Sequence, residues 1–97
     1  MSPAATYRAT GKVVLRRIGA DRLLVPVSGG VARENCVFPV NETGEFIWTG
    51  LTEGRTLDET AAALAAEFAV APERARNDCR EFADQLRTQG LIEEVAP

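Results

Sequence analysis

The sequence predicts an α+β fold: a three-stranded antiparallel sheet followed by a three-helix bundle, in a winged helix-turn-helix-like arrangement. Three observations carry that expectation. Three β-rich runs precede residue 41, and three stretches with helix-spaced apolar residues follow it. Between them, Val37–Trp48 passes from a β-run into a helix with almost no loop. Strands followed by helices, without an internal repeat, imply segregated layers.

The elements follow in order. Residues 1–10 show no period and read as a frayed arm ahead of a single domain spanning 1–97. Val13–Ile18 and Leu23–Val27 read as strands joined by a hairpin turn, Gly19-Ala20-Asp21-Arg22. Leu23, Val25 and Val27 share a face of the second strand. Pro26 lacks an N–H for the ladder, so the strand is expected to weaken or end there. Ser28-Gly29-Gly30 opens a loop that runs to about Asn35. Cys36–Val40 is a third strand with Cys36, Phe38 and Val40 on one face. Pro39 points the other way and suits an edge strand.

Asn41 is a strong helix N-cap, because its side chain accepts from the first free helical N–H groups. Glu42 and Glu45 then put negative charge at the positive end of the dipole. The first helix is expected from Glu42 to about Gly50, and Gly54-Arg55 make a tight turn. Thr56 and Glu59 form a capping box. The second helix carries Leu57, Ala61, Leu64 and Phe68 on one stripe. Val70-Ala71-Pro72 ends it, and Pro72 opens the third helix. That helix runs to about Gln89, with Ala75, Cys79, Phe82, Ala83 and Leu86 as its apolar stripe and Gly90 as its left-handed cap. Leu91–Val95 is a short extended tail.

Composition narrows the function. The 97 residues carry a net charge of −3, but residues 1–35 hold +4 and residues 36–97 hold −7. An acidic helical half disfavours nucleic acid, whose binding rests on neutralising phosphates. The chain has no histidine and only two cysteines, Cys36 and Cys79. That removes the commonest general base and cannot complete a structural zinc site. Both cysteines read as small, reduced, buried hydrophobes, with a thiol pair as the alternative if the third strand packs on the last helix. No apolar run is long enough to cross a membrane, and the first ten residues lack a signal-peptide core. The expectation is a cytoplasmic, soluble protein without cofactor or metal. Trp48 reads as core, with contact to a partner enzyme as the alternative.

The elements so placed resemble the PqqD family, whose members are recognition elements for the precursors of ribosomally synthesised and modified peptides. The resemblance covers about Val13 to Ile92. It rests on Val40-Asn41-Glu42-Thr43-Gly44, Phe46-Ile47-Trp48, Gly54-Arg55-Thr56, Glu59, Leu64, Glu67-Phe68, Asp78, Phe82, Leu86 and Gly90-Leu91. It implies a peptide-binding chaperone rather than an enzyme. A precursor's leader adds as a strand to the third strand and lies in the groove against the third helix. A modifying enzyme, of the radical SAM type as in pyrroloquinoline quinone (PQQ) biosynthesis, then acts on the peptide. Phe38-Pro39 departs from a fully donating strand, and the Ser28–Asn35 loop is longer than in the quinone chaperones.

Strand addition needs no catalytic residue: main-chain bonds give affinity and side-chain pockets give specificity. The candidate peptide-binding residues are Cys36, Val37, Phe38, Pro39 and Val40 on the strand, with Arg76, Cys79, Arg80, Ala83 and Arg87 on the helix. Arg76, Arg80 and Arg87 share one flank, with Asp78 and Gln85 opposite. If that row lined the groove, its guanidinium forks would suit leader carboxylates. The plainer alternative is a solvated face in which Arg80 pairs with Asp84. Three rivals remain. A winged-helix DNA binder is disfavoured by Glu73, Asp78, Glu81 and Asp84 on the third helix. An enzyme shows no recognisable constellation. A homodimer would pair third-strand edges and compete with the peptide.

Overall fold

The computed structural model describes residues 5–28, 31–32 and 37–95. Its elements run β1 (Thr6–Ala9), β2 (Lys12–Ile18), β3 (Asp21–Ser28), β4 (Val31–Ala32), β5 (Phe38–Val40), α1 (Glu42–Thr52), α2 (Leu57–Phe68), α3 (Pro72–Thr88) and β6 (Ile92–Val95). The order is the α+β order expected, and the three long runs became β2, β3 and β5.

β3 is the spine of the main sheet. β2 pairs along its full length on one side. On the other side β4 meets Val27 and Ser28, while β5 meets Arg22 to Leu24, so the two short strands lie end to end. The sheet is therefore three strands wide. The hairpin loop is shorter than expected: Asp21 and Arg22 already pair with Ile18 and Arg17. Gly19 has φ +61 at the first loop position, where primed two-residue turns put positive φ.

Two expectations are corrected here. Residues 6–9 are not a loose arm: β1 pairs antiparallel with β6, and Tyr7 is buried in the core. The apolar tail supplies the partner that the arm lacks in sequence. The loop expected through Asn35 carries the two-residue strand β4.

Pro26 does not end its strand either, and the register explains why. Pro39 has no N–H, so the β3–β5 ladder, Arg22↔Val40, Leu23↔Pro39 and Leu24↔Phe38, can exchange bonds only through Arg22/Val40 and Leu24/Phe38. Even-numbered β3 residues therefore turn their backbone groups toward β5, and odd-numbered ones toward β2. The missing N–H of Pro26 falls on the β4/β5 side, and the ladder to β2 is intact.

Alternation sends Leu24, with Val13, Leu15, Phe38 and Val40, toward the helices. The expected face of Leu23, Val25 and Val27 is the opposite one, although Val25 is also buried. Leu24 joins Ile47, Trp48 and Leu51 of α1, Leu57, Ala61 and Leu64 of α2, and Ala75, Cys79, Ala83 and Leu86 of α3 in one core. Trp48 is a core residue, 7% exposed.

The helix signals read from sequence are observed. Asn41 Oδ1 accepts from the Gly44 N–H at 2.8 Å, and Thr56 and Glu59 form the reciprocal box. Pro72 is the first residue of α3. One terminator was not foreseen: α2 ends on Ala69 in the left-handed region, φ 53. Among the described residues, no helix is long and apolar enough to cross a membrane.

Candidate functional site

β5 is paired on one side only among the described residues. Because Phe38 and Val40 spend their backbone groups on β3, the open edge presents those of Val37 and Pro39. Val37 offers both an N–H and a C=O, and Pro39 only a C=O. Pro39 thus removes its donor from the free edge, not from the fold. Val37 and Pro39 are exposed, whereas Phe38 and Val40 are half-buried against the core.

Beside this edge runs a trough along α3. Its larger part, a cleft of about 500 Å³, is lined by Phe38, Glu81, Asp84, Gln85, Thr88 and Gln89. A smaller part of about 180 Å³ lies between α3 and the start of α1. Asn41, Thr43, Gly44, Ile47, Asp78, Glu81, Phe82 and Gln85 line it. Glu81 and Gln85 belong to both, so the two parts are continuous. Phe38 and Phe82 meet edge to face across the strand–helix boundary, with centroids 6.0 Å apart and planes at 69°. Such a pair contributes about 0.5–1.5 kcal/mol beyond its buried area.

Two close approaches shape the trough. A Cβ on Gly44 would lie 3.1 Å from Phe82 Cζ and 3.2 Å from Val40 Cβ. The glycine of the Val40–Gly44 motif therefore lets α1 sit against both β5 and α3. Glu45 anchors the same turn to the sheet. Its carboxylate accepts a fork from Arg17, Nε at 3.0 Å and Nη2 at 2.8 Å, and Arg22 Nε stands 3.5 Å away. The hydrogen bond from Arg17 holds the Glu45 carboxyl below its usual range. Sequence reading gave Glu45 only a role in the helix dipole and set no weight on Arg17. Their meeting depends on the hairpin register.

The site residues expected from sequence divide into three groups. Val37, Phe38, Pro39 and Val40 are on or beside the open edge, while Cys36 lies outside the described residues. Cys79 and Ala83 are fully buried in the core and reach no surface. Burial pushes the Cys79 thiol up to about 12, the charge of Asp78 adding to it, so it is an inert core group. Arg76, Arg80 and Arg87 are exposed, but they line neither part of the trough.

The arginine row therefore lies outside this trough. The trough takes the opposite flank of α3, where Asp78, Glu81 and Gln85 project. Arg87 instead lies near enough to Tyr7 to act on its phenol, whose pKa is raised mainly by burial. The plainer alternative fails in one detail: the ion pair within α3 is Arg74–Asp78 at 3.8 Å, not Arg80–Asp84. The wheel had separated the two flanks without saying which one faced the sheet. Phe82 was the available signal, since a large aromatic on the Asp78 side of the stripe marks the packed flank. Among the described residues, no three His, Cys, Asp or Glu side chains converge as metal ligands.

Fold and site define a class: a small α+β domain in which one free strand edge borders a helix-walled trough. The family described as "Coenzyme PQQ synthesis protein D (PqqD)" matches residues 23–92, and the chain belongs to it. The match takes in all of β3 but its first two residues, β4, β5, all three helices and the first residue of β6. The chain is also similar to a solved structure, "TbiB1 in Complex with the TbiA(beta) Leader Peptide". Identity is 27% over 93% of this chain and 99% of that one, with a TM-score of 0.70. No curated protein matches the chain by sequence.

Proposed function

We propose that this protein captures the leader of a ribosomally synthesised precursor peptide and presents it to a modifying enzyme, itself doing no chemistry. The leader adds as a strand to the free edge of β5 and lies in the trough against α3. The observation that carries this reading is the one-sided pairing of β5, among the described residues, beside the cleft of about 500 Å³ along α3. An exposed edge with no such use is an aggregation hazard. Membership of the PqqD family and likeness to a protein solved with a leader peptide support it. A radical SAM enzyme is the partner that the family resemblance implies.

The ladder available is short. Val37 can exchange two bonds with an incoming strand and Pro39 can only accept one, so much of the affinity has to come from side chains in the trough. The test is a titration of ¹⁵N-labelled protein with synthetic leader peptides. The Val37 amide and the amides of Gly44 and Gln85 should shift together and saturate. Tight binding that leaves Val37 unmoved refutes strand addition. Sedimentation over the same titration distinguishes peptide capture from β5–β5 dimers, which the peptide would dissociate.

A further inference from the structure

We infer that the segment held in the trough is basic, with Lys or Arg side chains directed at Glu81 and Asp84. This rests on the peptide-binding reading above and adds the chemistry of the occupant. Two independent features of the walls point to it.

The first is charge. The residues lining the trough include three carboxylates, Asp78, Glu81 and Asp84, and no cation. Arg74 approaches Asp78 alone, at 3.8 Å. Glu81, common to both parts of the trough, has no basic group within 4 Å among the described residues, and neither has Asp84. Of the four arginines of α3, Arg74 borders the trough through Asp78, and Arg76, Arg80 and Arg87 line neither part of it. The wall also descends toward the C-terminal end of α3, the negative end of the helix dipole.

The second is the hydrogen-bond inventory of the edge. Val37 and Pro39 together offer two carbonyl acceptors and one N–H donor, because Pro39 has none to give. Edge and wall are both rich in acceptors. An acidic peptide would bring more acceptors and like charge, whereas ammonium and guanidinium groups bring only donors.

The experiment uses three fluorescein-labelled synthetic peptides with one alternating valine pattern, the intervening positions being all Lys, all Gln or all Glu. Each is titrated into wild-type protein, the Glu81→Gln/Asp84→Asn variant and a charge-matched control, Glu53→Gln/Glu67→Gln, whose changes lie on exposed surface away from the trough. Val37 amide shifts are followed in parallel. At low salt the wild type should rank Lys above Gln above Glu. The trough variant should lose about two- to five-fold of its affinity for the Lys peptide per carboxylate removed, as exposed pairs do, and the loss should shrink in high salt. The control should lose none of that preference. A flat or reversed ranking, or an equal loss in the control, overturns the inference while Val37 shifts leave strand addition standing. If no peptide moves Val37, the peptide-binding reading fails and this inference with it.

Discussion

Replacing Gly44 by Ala tests whether the junction of β5, α1 and α3 is as tight as its geometry implies. Gly44 is the third residue of α1, in its first turn, where Ala is better than Gly by up to about 1 kcal/mol. A substitution judged by propensity alone would stabilise the protein by that amount. The added Cβ, however, meets Phe82 Cζ at 3.1 Å, Val40 Cβ at 3.2 Å and the capping Asn41 Oδ1 at 3.2 Å. Three neighbours of different kinds surround one methyl group, and the cap cannot retreat without losing its bond to the Gly44 N–H. Overpacking of this sort costs roughly 1–3 kcal/mol. The net expectation is a loss of about 1 kcal/mol, or about 4–8 °C in Tm for a domain of this size. Urea unfolding should show a lower midpoint at an unchanged slope. Phe82→Leu removes the nearest contact, so Gly44→Ala should cost less in that background, with a coupling of at least about 0.5 kcal/mol. A Gly44→Ala protein more stable than wild type, or additive effects of the two changes, would refute the close approach.

Three further outcomes are expected. Ala69→Gly should raise stability by about 1 kcal/mol in thermal unfolding, because a non-glycine residue at φ 53 carries left-handed strain of roughly that size; an unchanged or lower Tm would show the strain to be absent. The Glu45 carboxyl is held below its ordinary 4.5, chiefly by the Arg17 hydrogen bond, so its stabilising effect is full above that value and fades as pH falls through the lower folded value. Glu45→Gln should therefore flatten the stability curve as pH falls below 4.5, and a curve parallel to wild type would count against the Arg17–Glu45 fork. In a Cys36→Ser background, Cys79 should resist iodoacetamide at pH 8 and react promptly in urea, its folded value of about 12 lying above the ordinary 9.0; stability linked to it holds below the unfolded value and declines as pH rises beyond, and rapid labelling of the folded protein would show the thiol to be open.

Local signals in this chain were readable wherever one residue's chemistry fixes its own neighbourhood. Asn41, Thr56 with Glu59 and Pro72 act within one helical turn, so the starts of α1, α2 and α3 followed from them. The stripe of α3 was readable for the same reason. What needed a long-range partner was not. Tyr7 lies in the core because β1 finds β6 across more than 80 residues of chain, and nothing in Thr6–Ala9 announces that pairing. Pro26 was expected to weaken its strand, since sequence shows that a donor is missing and not which neighbour it would have faced. The flank that lines the trough was open in the sequence for the same kind of reason. A helical wheel gives two flanks, and only the position of β5 against Phe82 selects the acidic one.

The register that rescues Pro26 also bears on whether the exposed edge of β5 pairs with a second copy. Pro39 withholds a donor on the free side of β5, and the neighbouring wall of α3 is carboxylate-rich. A second copy approaching that edge meets a ladder short of N–H groups and brings another acidic wall with it, so self-pairing is opposed twice. A donor-rich basic strand meets neither obstacle. On this reading the departure at Phe38-Pro39 does not weaken the docking edge indiscriminately. It lowers affinity for the protein's own edge more than for a foreign one, and discrimination between partners is a difference of affinities. Pro39→Ala should then strengthen β5–β5 association more than it strengthens capture of the lysine peptide. Sedimentation of the variant with and without that peptide reads both quantities, and a variant that gained only peptide affinity would contradict the argument.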